Sequence, residues 1–323
     1  MIWIYSMRPS YERFGVDGRT SQPIVGLVVD RMDWHARQVA VALAAHGFGA
    51  APIRLHLCGF ATRSANGMQI DGFGENLPAA VIVRSMSGGT FEAVTLRLGI
   101  LHAMRERGVM VWNDARAIER CVDKSMTSFL LAHAGIATPP TWATESYDRA
   151  RAIAQEETTN AALVLKPLFG SQGRGLRLIR KADDLPRANE VAGGVYYLQR
   201  FVAVERDGFH DFRLLVVQGR VVAAMQRSSA HWITNVKRGG RPIAALVNDE
   251  MTALATRAAT AVGADFAGVD ILSGADHQPT VLEVNSMPAW AGLQKVTSLN
   301  IAGVLVSALT KALAARPLRG AMA

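Results

Sequence analysis

Cysteine is scarce in this sequence, and long hydrophobic runs are missing from it. The two cysteines, Cys58 and Cys121, stand far apart in apolar stretches. This spacing excludes a zinc knuckle and a redox-active pair, because both need cysteines a few residues apart. We expect both residues to be buried thiols.

No apolar run approaches the roughly 18 residues that a membrane-spanning helix needs. The start of the chain, Met1-Ile-Trp-Ile-Tyr, is followed by Arg8 and a polar stretch without the small-residue cleavage site of a secretory signal. Half of the 323 residues are hydrophobic and 19% are charged, which is enough for a sizeable core. We therefore expect a cytoplasmic globular protein of two or three compact units, with no membrane partner.

Acidic residues are outnumbered by basic ones, and the formal net charge is +8. The arginines are nevertheless scattered and form no run of five or more basic residues. Aromatic residues do not interleave with basic ones as they do in a nucleic-acid platform. The charge therefore favours an anionic small molecule, such as a nucleoside triphosphate or an acidic metabolite, over nucleic acid.

The apolar pattern changes along the chain. Between residues 24 and 112, buried-type strands alternate with helices, which predicts an open α/β layer. The strands predicted there are Ile24–Val29, Ala79–Val83 and Val109–Trp112, and the helices are His35–His46 and Ala93–Arg107. Further helices are predicted from Ala115, over Lys124–Ala134 after the N-cap Asp123, over Asp249–Val262 and from about Asn300. Short strands are predicted at Leu163–Lys166, Leu176–Ile179, Tyr196–Val202, Phe212–Val217, Val221–Gln226, Phe266–Leu272 and Thr280–Asn285.

Two of the later strands carry carboxylates. Strand periodicity places Glu283 and Asn285 on one face. Leu282 and Val284 are then expected to point the other way, into the core. The strand with Asp270 is only about seven residues away, so the two strands are expected to pair as a hairpin. Alone, a Glu-x-Asn pattern is more often an ordinary strand, but the pairing assembles hard oxygen donors that suit Mg²⁺, or Mn²⁺ in its place.

A glycine-rich loop follows the strand that ends at Lys166. The loop residues are Gly170, Ser171, Gln172, Gly173 and Gly175. Glycine backbones can approach phosphate oxygens closely, and the lysine supplies a fixed positive charge. The residue order excludes a Walker P-loop, and the strand that follows makes a Rossmann turn a poor fit. A plain glycine hairpin turn is an equally good interpretation of the loop alone, but Lys124, which opens a helix, is expected to reach the same phosphates.

Together these residues resemble the ATP-grasp ligases, and in particular the RimK-type branch that adds glutamate to an acceptor carboxylate. Seven stretches carry the resemblance, in family order, over most of the chain. They are Asp123-Lys-Ser, Leu163-Val-Leu-Lys-Pro with Gly170-Ser-Gln-Gly-Arg-Gly, Leu198-Gln-Arg-Phe-Val, His210-Asp-Phe-Arg-Leu-Leu-Val-Val, Asn235-Val-Lys-Arg-Gly-Gly, Gly268-Val-Asp-Ile-Leu and Leu282-Glu-Val-Asn-Ser-Met-Pro. No single stretch is decisive, but the ordered set is specific.

The resemblance implies a mixed α/β (α+β) ATP-grasp fold in three parts. These are an N-terminal α/β pre-ATP-grasp domain over residues 1–112, a central subdomain with the phosphate loop over residues 113–202, and a C-terminal subdomain with the magnesium site over residues 203–323. ATP is expected between the last two parts.

The resemblance also implies roles for individual residues. Lys124 and Lys166 match lysines that contact phosphate. The adenine-contacting segment corresponds to Gln199, Arg200, Phe201 and Val202, and the magnesium ligands correspond to Asp270, Glu283 and Asn285. Asp211 and Arg213 match a site near nucleotide and substrate. Two departures bear on specificity: Arg200 stands where the family commonly has an acid, and Ala289-Trp290 stands where it often has glycine.

The reaction implied is that of an ADP-forming ligase. A substrate carboxylate attacks the γ-phosphoryl group of ATP, and an amine captures the resulting acyl phosphate as an amide. L-Glutamate is the expected amino acid, and a small cofactor or a peptide is the expected acceptor. Arg213, Arg227 and Arg238 are candidates for holding carboxylates or the tetrahedral oxyanion.

Further expectations come from the same branch. The segment Val83-Arg-Ser-Met-Ser-Gly-Gly89 resembles relatives linked to one-carbon cofactors such as tetrahydromethanopterin or methanofuran, and ligases of this kind often form homo-oligomers. Two alternatives stay open: a small-molecule kinase that uses the same nucleotide site, and a non-catalytic nucleotide- or RNA-binding module. The presence of both metal carboxylates argues against the second.

Overall fold

The computed structural model describes residues 22–170, 172–202, 208–273 and 278–315. Its N-terminal part is built on a parallel sheet whose buried strands are continuous apolar runs. The elements are β1 (Ile24–Val28), α1 (Trp34–Ala45), β2 (Gly49–Ile53), β3 (Gly59–Phe60), β4 (Met68–Gln69), β5 (Ala80–Val83), α2 (Phe91–Glu106) and β6 (Met110–Trp112). The sheet order is β2-β1-β5-β6, and all three pairs are parallel. The predicted α/β layer is confirmed.

Two short helices lead out of this layer, α3 (Ala115–Val122) and α4 (Lys124–His133). The carboxylates of Asp114 and Asp123 accept hydrogen bonds from the first-turn amides, as an N-cap does. Leu131 of α4 is fully buried in the core that lies under the C-terminal sheet. The helix is therefore fixed to the C-terminal part of the chain.

The central part is a small antiparallel sheet covered by one helix. Its elements are β7 (Thr141–Thr144), α5 (Tyr147–Glu157), β8 (Leu163–Lys166), β9 (Arg177–Ile179) and β10 (Tyr196–Arg200). The strand order is β7-β10-β8-β9. Ala150 and Ala154 of α5 pack with Leu163, Leu165 and Leu198 in a core of its own.

The C-terminal part is a larger antiparallel sheet with the order β13-β12-β11-β14-β15. Its elements are β11 (Phe209–Val217), β12 (Arg220–Ser229), β13 (Arg241–Ala244), α6 (Asp249–Val262), β14 (Phe266–Ser273), β15 (Pro279–Asn285), α7 (Ala291–Gln294) and α8 (Ile301–Ala314). One face buries Leu214, Val216 and Val269 against α6. At one end of the opposite face, Leu215 and Val217 join a core shared with α8 and the N-terminal sheet. The other end of that face is left for the cleft described below.

The sequence patterns do not predict β2, β7, α5 or β13. The edge strand β2 contains a proline and mostly small residues, and α5 is a mainly polar helix, so neither has a strong apolar period. Of the two free cysteines, Cys58 is buried as expected and Cys121 is partly buried. Across the described ranges, no helix combines the length and apolar character needed to cross a bilayer.

Candidate active site

Charged residues stand in register on three neighbouring strands of the C-terminal sheet. Arg213 of β11 faces Asp270 of β14, and Asp270 faces Glu283 of β15. Asp270 is only 1% exposed. Arg213 Nε and Nη2 donate to its two carboxylate oxygens at 2.7 and 2.6 Å. The hairpin that the sequence predicts between the two acid-bearing strands is confirmed.

A second guanidinium reaches the same carboxylate. Arg227 Nη2 lies 3.0 Å from Asp270 Oδ2, and Arg227 Nε donates to Asp211 Oδ1 at 2.7 Å. Burial alone would raise the pKa of Asp270, but the charges of Arg213 and Arg227 outweigh it and hold the pKa well below its usual range. Burial would lower the pKa of Arg227, but Asp270 and Asp211 raise it further than burial lowers it. Asp270 and Arg227 are therefore both ionised.

Asp211 and Arg227 are themselves a buried pair, facing each other across β11 and β12. The apolar pattern predicts that the two strands cover only Phe212–Val217 and Val221–Gln226. In the structure β11 and β12 are longer and include Asp211 and Arg227, because two paired charges can be buried within a sheet. Arg238, the remaining arginine of the predicted set, is exposed on a short 3-10 turn and does not line the cleft.

One expectation about β15 is wrong. Leu282 lines the cleft beside Glu283 and does not enter the core, whereas Val284 is buried as expected. A bulge causes this difference: Asp270 pairs with Glu283 but the next residue, Ile271, pairs with Val281, so Leu282 is left without a partner. The strict two-residue alternation is broken at that point.

The oxygen donors at this end suit a magnesium ion. Asn285 Nδ2 donates to Glu283 Oε1 at 3.2 Å, so the two side chains lie together at the end of β15. In the ranges that the structure covers, no group of three or more His, Cys, Asp or Glu side chains could hold a metal ion unaided. Two carboxylates and an amide fit Mg²⁺ or Mn²⁺, which complete their coordination with phosphate oxygens and water, and do not fit zinc.

Lys166 ends β8 on the opposite wall of the cleft. Its ammonium group is buried and donates to Gln199 Oε1 at 2.6 Å. Gln199 is held in turn, because its Nε2 donates to Thr141 Oγ1 and to the Tyr197 hydroxyl, both at 3.3 Å. Burial lowers the pKa of Lys166 to about 8, against the opposing charge of Glu283. Among the described residues, an amide and no carboxylate bonds to this lysine, which leaves its charge available to an anion.

Lys124 approaches from the first turn of α4. Its Nζ donates to the carbonyl oxygens of Leu168 at 3.2 Å and Gly170 at 2.7 Å. Burial lowers its pKa, and the charges of Glu283 and Asp123 oppose that effect. Lys124 therefore contacts the loop that follows Lys166, and both lysines line the same cleft.

The glycine loop depends on backbone conformations that other residues avoid. Gly173 has φ 68° and Gly175 has φ 71°. A Cβ atom on Gly173 would lie 2.6 Å from Asn235 Oδ1, so the loop packs closely on the segment that follows β12. Gln172 also has a positive φ, of 64°. Ser171 lies outside the described residues.

Apolar side chains also line the cleft. Phe201 meets Trp232 edge to face, with ring centres 6.0 Å apart. The other apolar residues that line this cleft are Val164, Pro167, Leu176, Val202, Phe209, Ile233, Leu272 and Leu282. Arg200 lines the cleft with its guanidinium paired to Glu157 of α5. Apolar side chains and cationic groups that line one cleft suit a nucleotide base and its phosphates.

The structure brings most of the predicted site residues to this one cleft. Those that line it are Lys124, Lys166, Gly170, Gln172, Gly173, Gln199, Arg200, Phe201, Val202, Asp211, Arg227, Asp270 and Glu283. Gly175, Arg213, Arg238 and Asn285 are not in its lining. Sequence reasoning did not single out Trp232, Ile233 and Thr234, which line the cleft. Their position next to the Asn235-Val-Lys-Arg-Gly-Gly stretch was the available signal.

A cleft between two antiparallel sheets that is lined by two lysines, a glycine loop and carboxylates defines an ATP-grasp enzyme. Residues 121–309 match the family model described as the RimK-like ATP-grasp domain. The chain belongs to this family.

Curated relatives extend the match beyond that domain. A tetrahydromethanopterin:alpha-L-glutamate ligase of Methanosarcina acetivorans is 29% identical over 320 residues, covering 87% of this chain and 97% of the relative. A probable alpha-L-glutamate ligase 2 of Hahella chejuensis is 32% identical over 72% of this chain and 81% of its own length.

Solved structures share the fold. The ATP-grasp ligase PsnB, in complex with a phosphomimetic variant of its minimal precursor, Mg and ADP, has a TM-score of 0.70 at 23% identity, over 90% of this chain and 99% of its own. The D-cycloserine synthetase DcsG has a TM-score of 0.65 at 19% identity, over 90% of this chain and 99% of its own. These likenesses agree with the expected ATP-grasp fold.

Proposed function

We propose that this chain is an ATP- and magnesium-dependent ligase that joins the amine of L-glutamate to a carboxylate of a second substrate. The observation that carries the proposal is the cleft itself, which Lys124, Lys166, Asp270 and Glu283 line together with apolar side chains. A triphosphate bound there would have its base against the apolar side chains and its terminal phosphate near the lysines and carboxylates.

The proposed reaction has two balanced steps. A carboxylate oxygen of the acceptor bonds to the γ-phosphorus of ATP, and the bond from that phosphorus to the β,γ-bridging oxygen breaks to release ADP. The amine nitrogen of the amino acid then attacks the acyl carbon, phosphate leaves, and the nitrogen loses a proton. Excluding water from the cleft would protect the acyl phosphate from hydrolysis.

Each part of the cleft has a role in this proposal. Lys124 and Lys166 neutralise phosphate charge, and Gln199 orients Lys166 through the 2.6 Å hydrogen bond. Asp270, Glu283 and Asn285 would hold Mg²⁺, which supplies charge neutralisation at the phosphates when bound. Arg213 and Arg227 fix the carboxylate of Asp270 and carry positive charge toward the reacting centre. Arg238 is proposed only as a contact for acceptor at the rim, because it is exposed in the described structure.

The amino acid and the acceptor are proposed from the relatives. Both curated relatives described above are named as alpha-L-glutamate ligases, which supports L-glutamate as the donated residue. The name of the first supports a pterin-type cofactor as the acceptor, and a PsnB complex with a precursor peptide supports a peptide as the alternative. The site would lie between residues 113–202 and 203–323, with residues 1–112 beside it.

A mass measurement tests the proposal. The protein is incubated with ATP, Mg²⁺ and each amino acid in turn, together with a metabolite extract. The expected result is an acceptor whose mass rises by that of L-glutamate less one water, with one ADP formed for each amide. An acceptor that gains phosphate would instead identify a kinase, and nucleotide binding without any turnover would identify a non-catalytic module.

A further inference from the structure

A buried arginine lies on the N-terminal side of the proposed site. Arg84 directly follows β5, at the carboxyl end of the parallel sheet, where open α/β sheets bind their ligands. The residue is 7% exposed. Its guanidinium carbon lies 4.4 Å from the ring centre of Trp290, and its Nη2 donates to the carbonyl oxygen of Pro288 at 2.9 Å.

The cluster has hydrogen-bond donors without acceptors. Arg84 Nε, Arg84 Nη1 and Trp290 Nε1 are buried and have no hydrogen-bond partner among the described residues. Buried polar groups are normally paired, and an unpaired buried cation is expensive. The charge of Asp33 acts on Arg84 but the two form no ion pair. Burial lowers the pKa of Arg84 to about 10, so the group is still a cation at neutral pH.

The rings of His35 and Phe266 meet the Trp290 ring at steep angles, with ring centres 4.7 and 5.7 Å away. His35 Nε2 accepts hydrogen bonds from the backbone amides of Trp290 and Ala291, at 3.1 and 3.2 Å. The proton of His35 is then on Nδ1, which lies 3.2 Å from Asp33 Oδ2. The donors of the cluster are therefore fixed before any ligand arrives.

The cluster adjoins the acid end of the cleft. A Cβ atom on Gly268 would lie 2.9 Å from Pro288 Cβ and 3.6 Å from Arg213 Nε. Pro288, whose carbonyl oxygen accepts from Arg84, and Arg213, which holds Asp270, therefore both pack on Gly268.

We propose that Arg84 and Trp290 form a binding subsite for a carboxylate of a substrate, beside the centre where the amide bond is formed. The inference rests on the proposed ligase function and adds the residues that select an anionic substrate. Donors without acceptors match a carboxylate, because ionised carboxyl oxygens only accept hydrogen bonds. The carboxylate belongs either to the donated amino acid or to the acceptor.

A purely structural role predicts a different behaviour of variants. If Arg84 only held Pro288, its loss would lower stability and leave substrate binding unchanged in the folded protein. If it is a ligand site, Arg84→Met removes an unpaired buried charge, and the ligand-free protein should unfold at the same or a higher temperature. Trp290→Phe keeps the ring and removes only the indole donor, so it tests the subsite independently of Arg84.

The experiment is a calorimetric titration with a non-hydrolysable ATP analogue and Mg²⁺ present. L-Glutamate probes the donated amino acid, and N-acetyl-L-glutamate, which has no free amine, probes the acceptor. We expect Arg84→Met to weaken binding of one probe by about ten- to a hundredfold, as for a lost charged hydrogen bond. The probe affected identifies the source of the carboxylate. Affinity for the ATP analogue should stay within about twofold.

Arg151→Met is the matched control, because it removes an exposed guanidinium that pairs with Asp183 on the central part. Wild-type protein that binds neither probe would overturn the subsite. The same conclusion would follow if both folded variants bound both probes as tightly as the wild type. No turnover occurs in this titration, so its failure is separate from failure of the ligase function, which the mass measurement tests.

Discussion

The pH dependence of nucleotide binding follows from the buried position of Lys166. Its pKa is about 8 in the ligand-free protein, and the protonated form is the one that binds phosphate. About nine-tenths of the lysine is protonated at pH 7 and about one-tenth at pH 9. A terminal phosphate with a pKa of about 6 is already about nine-tenths ionised at pH 7, so ATP changes little over this range. Raising the pH should therefore remove the charge on the protein and leave the ligand nearly unchanged.

The expected loss can be worked out directly. Affinity should fall about tenfold between pH 7 and pH 9, which corresponds to about 1.4 kcal/mol. The lowered pKa of Lys124 acts in the same direction. The assay is a titration with a non-hydrolysable ATP analogue in chelator, at constant ionic strength, so that metal binding does not contribute.

Lys166→Arg is the matched variant, because its guanidinium stays charged through pH 9. The variant should show a much flatter profile over the same range. An affinity that is constant to pH 9 in the wild type would refute the reasoning, and so would an equally steep fall in the arginine variant.

Three further predictions concern single positions. Glu283→Gln should remove ligase turnover, measured as ADP release, while thermal unfolding stays close to that of the wild type, because the side chain lies in the cleft and not in the core. Gly173→Ala places a Cβ 2.6 Å from a neighbouring amide oxygen, on a residue whose φ is 68°. It should lower the free energy of unfolding in denaturant by about 1–2 kcal/mol and weaken nucleotide binding. Gly59→Ala is the control, because there is open space around Gly59. Arg227→Met removes a buried partner of Asp270 and should lower stability by about 3–5 kcal/mol, a loss that should shrink in acid as the carboxylates protonate. If Arg227→Met lowered stability equally at all pH values, the prediction for this variant would be contradicted.

The spacing of apolar residues along the sequence predicts much of this fold. The pairing of β14 with β15 follows from two short apolar runs and a short connection, and the helix Asp249–Val262 has the same limits in sequence and structure. The elements β2 and α5 have no regular spacing of apolar residues, so the sequence does not predict them. Their position depends on packing against neighbouring parts of the fold. The bulge at Leu282 also cannot be predicted from the sequence, since one extra residue in a strand does not change its composition noticeably.

Some parts of the candidate site can likewise be predicted from the sequence, and others cannot. The lysines, the glycine loop and the acid-bearing strands are local patterns, and the sequence indicates them. The pairing of Arg227 with Asp211 and Asp270 depends on strand register, and the cluster of Arg84 with Pro288 and Trp290 joins residues some two hundred positions apart. Neither can be read from spacing, because distant segments meet only in the folded chain.

The most direct test of the account follows one oxygen atom. An acceptor found in the extract is prepared with ¹⁸O in its carboxylate and incubated with ATP, Mg²⁺ and L-glutamate. Activation through an acyl phosphate predicts that the phosphate released carries one ¹⁸O per amide formed, and that Glu283→Gln releases none. If the released phosphate carried no label, the claim that this cleft activates a carboxylate would be contradicted. The same would follow if the amide formed without ATP.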